Sequence, residues 1–365
     1  MTQKKKLFFP NLDGVRAIAA TLVVIWHTEL HKNGYVTSNI HIPDLGHMGV
    51  SIFLGLSGFL ITYLLMEERD TAGTIDYRNF YLRRILRIWP LYFLVLLFGY
   101  FVFPRTLSAE GLWLSVFFLP NIAILLKLLP TVIDPIWSIG VEEQFYLVQP
   151  HLLRIKKPKT ILNVLIILLV GIYGLKFGLK LMHQTPAVAF LTECIRLFRY
   201  DCLVMGSIGA ILLYNYRHRL FTVPFSLNII FSKWVQAACL LFYLAYFAFK
   251  MRYPELLNNE LLSICTVILI LNLCNPETSV LSFQNKVFSY LGKISYGIYL
   301  MHKFPLVLIL WILHTYYPDC PEPLASIIIY AFTYGSVVIL ATLSYNWYES
   351  YFLKLKNRYA KIVKQ

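Results

Sequence analysis

Apolar positions in this chain fall into long runs parted by short polar breaks. NVLIILLVGIYGLKFGL, VQAACLLFYLAYFAF and ASIIIYAFTYGSVVILATL are examples. Each approaches the ~20 residues that a membrane-spanning helix needs. Eleven such stretches can be picked out, beginning near residues 12, 45, 79, 109, 138, 160, 197, 231, 258, 288 and 325. The polar breaks are rich in Lys and Arg: TQKKK, YLRRILR, RIKKPK, NYRHR and the tail LKLKNRYAKIVK. Basic segments favour the cytoplasmic face, yet eleven full crossings would scatter these over both faces. One stretch must therefore turn back. EGLWLSVFFLPNIAILLKLLP is the one, because Pro120, Asn121, Pro130 and Pro135 make it a poor continuous span. The expected fold is all-α: a polytopic transmembrane helix bundle of about ten full crossings plus one broken or re-entrant segment. It is expected to form a single integral-membrane domain over residues 1–365, with no separate soluble domain and both termini cytoplasmic.

Composition narrows the picture. Hydrophobic residues make up 58% of the chain and charged residues only 14%, where a soluble domain carries about a quarter. The net charge of +14 does not point to nucleic acid, because the cations sit between apolar runs; the lipid bilayer is the expected partner. No cleavable signal peptide is evident. The six cysteines show no metal-ligand spacing, and no metal site is expected; most lie in apolar runs and read as small buried hydrophobes. A bridge between Cys194 and Cys320 is the one pairing that the topology suggests.

Ionisable residues inside a span are costly and functional by default, so the first run, LDGVRAIAATLVVIWH, stands out. Eleven helical steps bring His27 back to within ~20° of Arg16 with ~16 Å of rise. The two therefore share a face, and Asp13, one turn earlier, can pair with Arg16. Such a pair marks the two ends of one path through a membrane; snorkelling of Arg16 and interfacial capping by His27 is the blander alternative.

LDGVRAIAATLVVIWH resembles the opening signature of the membrane acyltransferase 3 family. GHMGVSIFLGLSGFLITYLL, FYLRRILRIWPLY, DPIWSIGVEEQFYLVQP and ISYGIYLMH are similar to its further motifs, in the family's order and spacing. The resemblance implies a multi-pass enzyme that takes an acyl group, often acetyl, from cytoplasmic acyl-CoA to a hydroxyl of a surface glycan or glycolipid. Acyl-CoA is then a donor substrate, and no permanently bound cofactor is expected. It also implies a cell (inner) membrane location. Some relatives carry an extra extracytoplasmic domain, for which this chain is too short.

Motif by motif, Arg83, Arg84 and Arg87 stand at the mouth of the third helix. Arg83 and Arg87 share a face and can grip phosphates, those of CoA by the resemblance, or anchor to lipid. Gly46, Gly49, Ser51, Gly55, Ser57 and Gly58 read as close helix packing, or as a slot for the pantetheine arm. Glu142 matches the family's recurrent acid; beside His27 it would fix the imidazole tautomer, or else it pairs with Arg16 or Arg199. Trp137 and Ser138 shape that turn. Ser295, Tyr299 and His302 form one polar stripe suited to an acyl channel or acceptor groove, and Arg199 with Asp201 make a candidate acceptor-side pair. Glu349 lies in a final acidic motif, followed by Ser350 and Tyr351 where relatives commonly have a basic residue and proline.

The expected mechanism has the phosphates held by Arg83, Arg84 and Arg87, with Arg16 near the inner channel. His27 removes the proton of an acceptor hydroxyl, or carries the acyl group covalently. The rivals are a transporter or flippase of lipid-linked glycan and a non-catalytic membrane partner; consumption of a thioester separates the enzyme from both.

Overall fold

The computed structural model describes residues 9, 11–32, 44–102, 108–183, 185–223, 227–248, 255–275 and 277–359. Among them there are helices and no strand. In chain order they are α1 (Asn11–Lys32), α2 (Leu45–Ala72), α3 (Tyr77–Val102), α4 (Ala109–Val116), α5 (Pro120–Leu125), α6 (Ile136–Leu152), α7 (Pro158–Leu181) and α8 (Pro186–Phe198). Then come α9 (Tyr200–His218), α10 (Lys233–Ala248), α11 (Glu255–Leu273), α12 (Lys286–Met301), α13 (Lys303–Tyr316), α14 (Glu322–Leu343) and α15 (Ser350–Arg358). A π-helical turn, Ser344–Glu349, joins the last two.

Five of these helices or joined helices are long and apolar enough to cross a membrane: α2, α3, α7, the joined α8–α9, and α14 through α15. A sixth follows if α12 and α13, bent by 56°, are one span. This is fewer than the charge pattern asks for. Helices α6 and α10 are shorter, at 17 and 16 residues, and α1 carries Asp13, Arg16, Glu29 and Lys32.

Each interruption has a local cause. The stretch expected to turn back is two short helices, of 8 and 6 residues, with Phe118 and Lys127 in left-handed conformation. It lies against α6, where Gln144 Nε2 donates to the Phe118 carbonyl at 2.8 Å and to Asn121 Oδ1 at 3.0 Å. The α12–α13 bend sits at His302. Pro305, with no N–H, cannot bond the Met301 carbonyl, and its ring crowds that group. Arg199, at φ 46°, breaks α8 from α9.

Helix α2 runs through the core, parallel to α9. Their backbones meet at Gly58 and Gly206: a Cβ at Gly58 would lie 2.0 Å from the Leu203 carbonyl oxygen, and one at Gly206 2.0 Å from that of Gly55. Thr62 donates to Ser207 at 2.9 Å and Gln149 to Thr62 at 2.6 Å, which ties α6 to the pair. Helix α1 packs antiparallel to α2 and parallel to α12. The basic segments gather at one end of this bundle. There Arg69 donates to the carbonyls of Leu153 and Ile155, Arg83 pairs with Glu68, Tyr214 donates to Asp70 and Arg217 reaches Tyr63 and the Cys274 carbonyl.

The suggested bridge does not exist: Cys194 and Cys320 are both free thiols.

Candidate active site

A cavity opens among α1, α2, α3, α6 and α12. The run of each helix sets what faces it. At the end where the basic segments gather it is lined by Arg16, Arg84 and Arg87, with Leu64 and Tyr146. Helix α2 supplies an apolar wall of Val50, Phe53, Leu54, Leu60 and Ile61, interrupted by Ser57. At the far end stand Ser138 and Tyr299, joined by a hydrogen bond of 2.7 Å, and Phe53 packs edge-on against Tyr299 at 5.4 Å.

The cations are incompletely neutralised. Arg16 donates to Asp13 at 2.8 Å. Arg84 lies over the Tyr146 ring at 5.4 Å, and its Nε has no hydrogen-bond partner although buried. Arg87 forms no ion pair among the described residues. Arg83 does not join them. It points away from the cavity, bonded to Glu68 at 2.7 Å and to the Tyr359 carbonyl at 2.8 Å. Arg83 and Arg87 therefore do not face one site together, and the cations that line the cavity come from α1 and α3.

Glu142 faces the cavity, where Ser57 and Tyr146 both donate to its Oε1. It is not the partner of His27, nor of Arg16 or Arg199. That partner comes from the α12–α13 bend: His302 Nε2 lies 3.1 Å from His27 Nδ1, with ring centroids 4.9 Å apart. The pair sits just beyond the Ser138–Tyr299 bond, because His302 follows Tyr299 by one turn. His302 is fully buried. Next to it, Lys303 Nζ bonds Asp134 at 2.7 Å and the Thr131 carbonyl at 2.9 Å, which pins the bend to the segment before α6.

Several expected residues lie elsewhere. Arg199 is buried and donates to Ser51 Oγ at 2.6 Å. Asp201 accepts from Lys176 at 2.8 Å, and Lys176 also bonds Glu260 at 3.1 Å. These are ties between helices rather than an open acceptor pair. Trp137 packs on the core and does not line the cavity. The glycines of α2 do not form a slot: Gly46 and Gly49 abut Trp26 and Val23 of α1, and Gly58 abuts α9. Of that small-residue stretch, Ser57 alone lines the cavity.

Sequence reasoning missed three residues here. Lys303 carried no spacing signal, since its partners lie outside its own helix, whereas Tyr146 stands four residues after Glu142 on α6, a spacing that could have found it. His302 was seen as part of a stripe, but its pairing with His27 was not; Pro305, three residues on, was the available sign of a bend.

The profile of a family described as an acyltransferase domain matches residues 9–346. Among named proteins, the chain is 27% identical to the peptidoglycan O-acetyltransferase OatA of Listeria monocytogenes, over 84% of this chain and 50% of that protein. It is 28% identical to a provisionally named O-acetyltransferase of Staphylococcus aureus strain COL, SACOL0978, over 96% of this chain and 58% of that protein. A provisionally named peptidoglycan O-acetyltransferase of Bacillus subtilis, YrhL, is also 28% identical, over 83% and 49%. The chain thus spans about half the length of the curated relatives it matches. No solved structure is significantly similar to it. With a match from residue 9 to residue 346, and the five motifs present in order, the chain belongs to the acyltransferase 3 family.

Proposed function

We propose that this chain is a membrane O-acyltransferase moving an acyl group, acetyl in the first instance, from acyl-CoA to a hydroxyl of a cell-surface glycan or glycolipid. Donor entry is from the cytoplasm, in an inner-membrane protein of about ten crossings with both termini cytoplasmic. The observation that carries this reading is the set of under-neutralised guanidiniums, Arg16, Arg84 and Arg87, at one end of a cavity that runs towards His27. Arg16 has Asp13 as its counter-charge, but Arg84 and Arg87 form no ion pair among the described residues. Partly buried cations left so are costly unless a ligand supplies the charge, and forked guanidinium donors suit phosphate. The nucleotide phosphates of CoA fit that end.

The pantetheine arm then passes Ser57 and Tyr146, whose hydroxyls are engaged by Glu142, so this carboxylate organises the wall rather than the base. The thioester reaches the Ser138–Tyr299 end, next to His27. His27 takes the proton of the acceptor hydroxyl as its oxygen attacks the thioester carbon, a contribution of ~10²–10⁴-fold. The carbon–sulfur bond breaks and CoA leaves as thiolate, which recovers the proton from the imidazolium. The name of the Listeria relative makes peptidoglycan the first acceptor to try.

Binding of CoA to the purified protein, followed by titration calorimetry, tests the cationic site. Wild type should bind, and the double variant Arg84→Ala/Arg87→Ala should lose binding by at least tenfold, the scale of one charge-assisted hydrogen bond at about 1.5–3 kcal/mol. Equal affinity in both would remove the phosphate site from the account.

A further inference from the structure

His27 Nδ1 has two neighbours, the Val23 carbonyl at 3.0 Å and His302 Nε2 at 3.1 Å. A carbonyl oxygen only accepts, so His27 Nδ1 carries a hydrogen. His302 Nδ1 lies 2.6 Å from the Tyr299 carbonyl, so it carries one too, and in the neutral ring its Nε2 is left as an acceptor. Two backbone carbonyls thus fix both tautomers independently, and in compatible senses: the His27 Nδ1–H is shared between Val23 and His302 Nε2. The other nitrogen of His27, Nε2, has no hydrogen-bond partner among the described residues, and in this tautomer it carries the lone pair.

The bend makes this possible. At the end of α12, carbonyls lose their helical partners, and Pro305 cannot supply a replacement donor to the last turn. The His302 ring bonds another carbonyl of that turn, that of Tyr299. Its outer nitrogen is thereby aimed at α1, and Lys303 with Asp134 locks the bend in place.

We propose that His302 is the positioning residue of the His27 base: it holds the ring in the tautomer that leaves the Nε2 lone pair available, and it takes up the strengthened Nδ1–H bond when Nε2 gains the hydroxyl proton. The inference rests on His27 acting as the base in acyl transfer. Which nitrogen of a histidine is protonated is set by the bond the other makes, and loss of such an outer partner costs roughly 10–100-fold where it has been measured at ligating histidines.

The first test does not depend on turnover. Nitrogen-15 spectra of histidine-labelled wild type in lipid nanodiscs, with the His27 signals assigned by their loss in His27→Ala, should show Nδ1 protonated and Nε2 bare at neutral pH. A protonated Nε2 overturns the proposal. The second compares His302→Leu, of similar volume but without an acceptor, with His302→Gln, whose amide oxygen reaches the position of Nε2. The Leu variant should lose 10–100-fold in kcat with KM for acetyl-CoA unchanged, and the Gln variant should recover most of it. Equal rates in the two, whether high or low, overturn the positioning role. If His27→Ala itself keeps full turnover, the reading of His27 as the base fails instead, while the nitrogen-15 result still stands or falls alone.

Discussion

At the scale of residues, neighbouring arginines of one motif have different work. Arg84 and Arg87 line the cavity, whereas Arg83 neutralises Glu68, which is buried at 3% exposure. Removing one partner of a buried pair leaves the other charge uncompensated, at a cost of about 3–5 kcal/mol. Arg83→Ala should therefore lower the melting temperature in detergent while leaving CoA affinity unchanged; a loss of affinity at unchanged stability would return Arg83 to the phosphate site. Helical periodicity was enough to put Arg16 and His27 on one face of α1, since that relation is internal to a single helix. The Glu142–Tyr146 bond, at i and i+4 of α6, lay within its reach. Periodicity could not show that Arg83 turns away, that Glu142 also bonds Ser57, or that His27 meets His302. Those pairings depend on how α1, α2, α3, α6 and α12 pack, which spacing along the chain does not encode.

At the scale of elements, close approach of backbones holds the centre together. Helices α2 and α9 touch through Gly58 and Gly206, where even a methyl group would strike a carbonyl oxygen. Without a hydrophobic driving force between helices in lipid, such contacts carry much of the packing energy. Gly206→Ala should force the pair apart at a cost of about 1–3 kcal/mol, read as a lower melting temperature; an unchanged value would show that this contact yields freely. The helix starts near 45, 109, 138 and 160 were legible from apolar runs, and so was the broken segment, from its prolines. The breaks at Arg199 and His302 were not. The first needs a left-handed residue that is not glycine, and the second lies within an apolar stretch that gives no change of period.

At the scale of the whole molecule, the bundle brings together basic segments far apart in sequence, with Arg69, Arg83 and Arg217 tied to neighbours at one end. A chain of ten crossings whose fourth stretch turns back would set these segments on one side of the membrane. In a cysteine-free background, Lys156→Cys and Arg219→Cys should react with a membrane-impermeant thiol reagent only from the cytoplasmic side, and Asp319→Cys only from the other. Labelling of the first two from opposite sides would overturn this topology. The cavity runs from the charged end to the Ser138–Tyr299 bond, and the proposed reaction needs that end to meet His27, which lies just beyond it. The most direct measurement is release of CoA from acetyl-CoA by the purified protein in vesicles supplied with peptidoglycan fragments, wild type beside His27→Ala. Release by wild type and its loss in His27→Ala, with CoA binding retained, is the expected result. Undiminished release by His27→Ala would contradict the account.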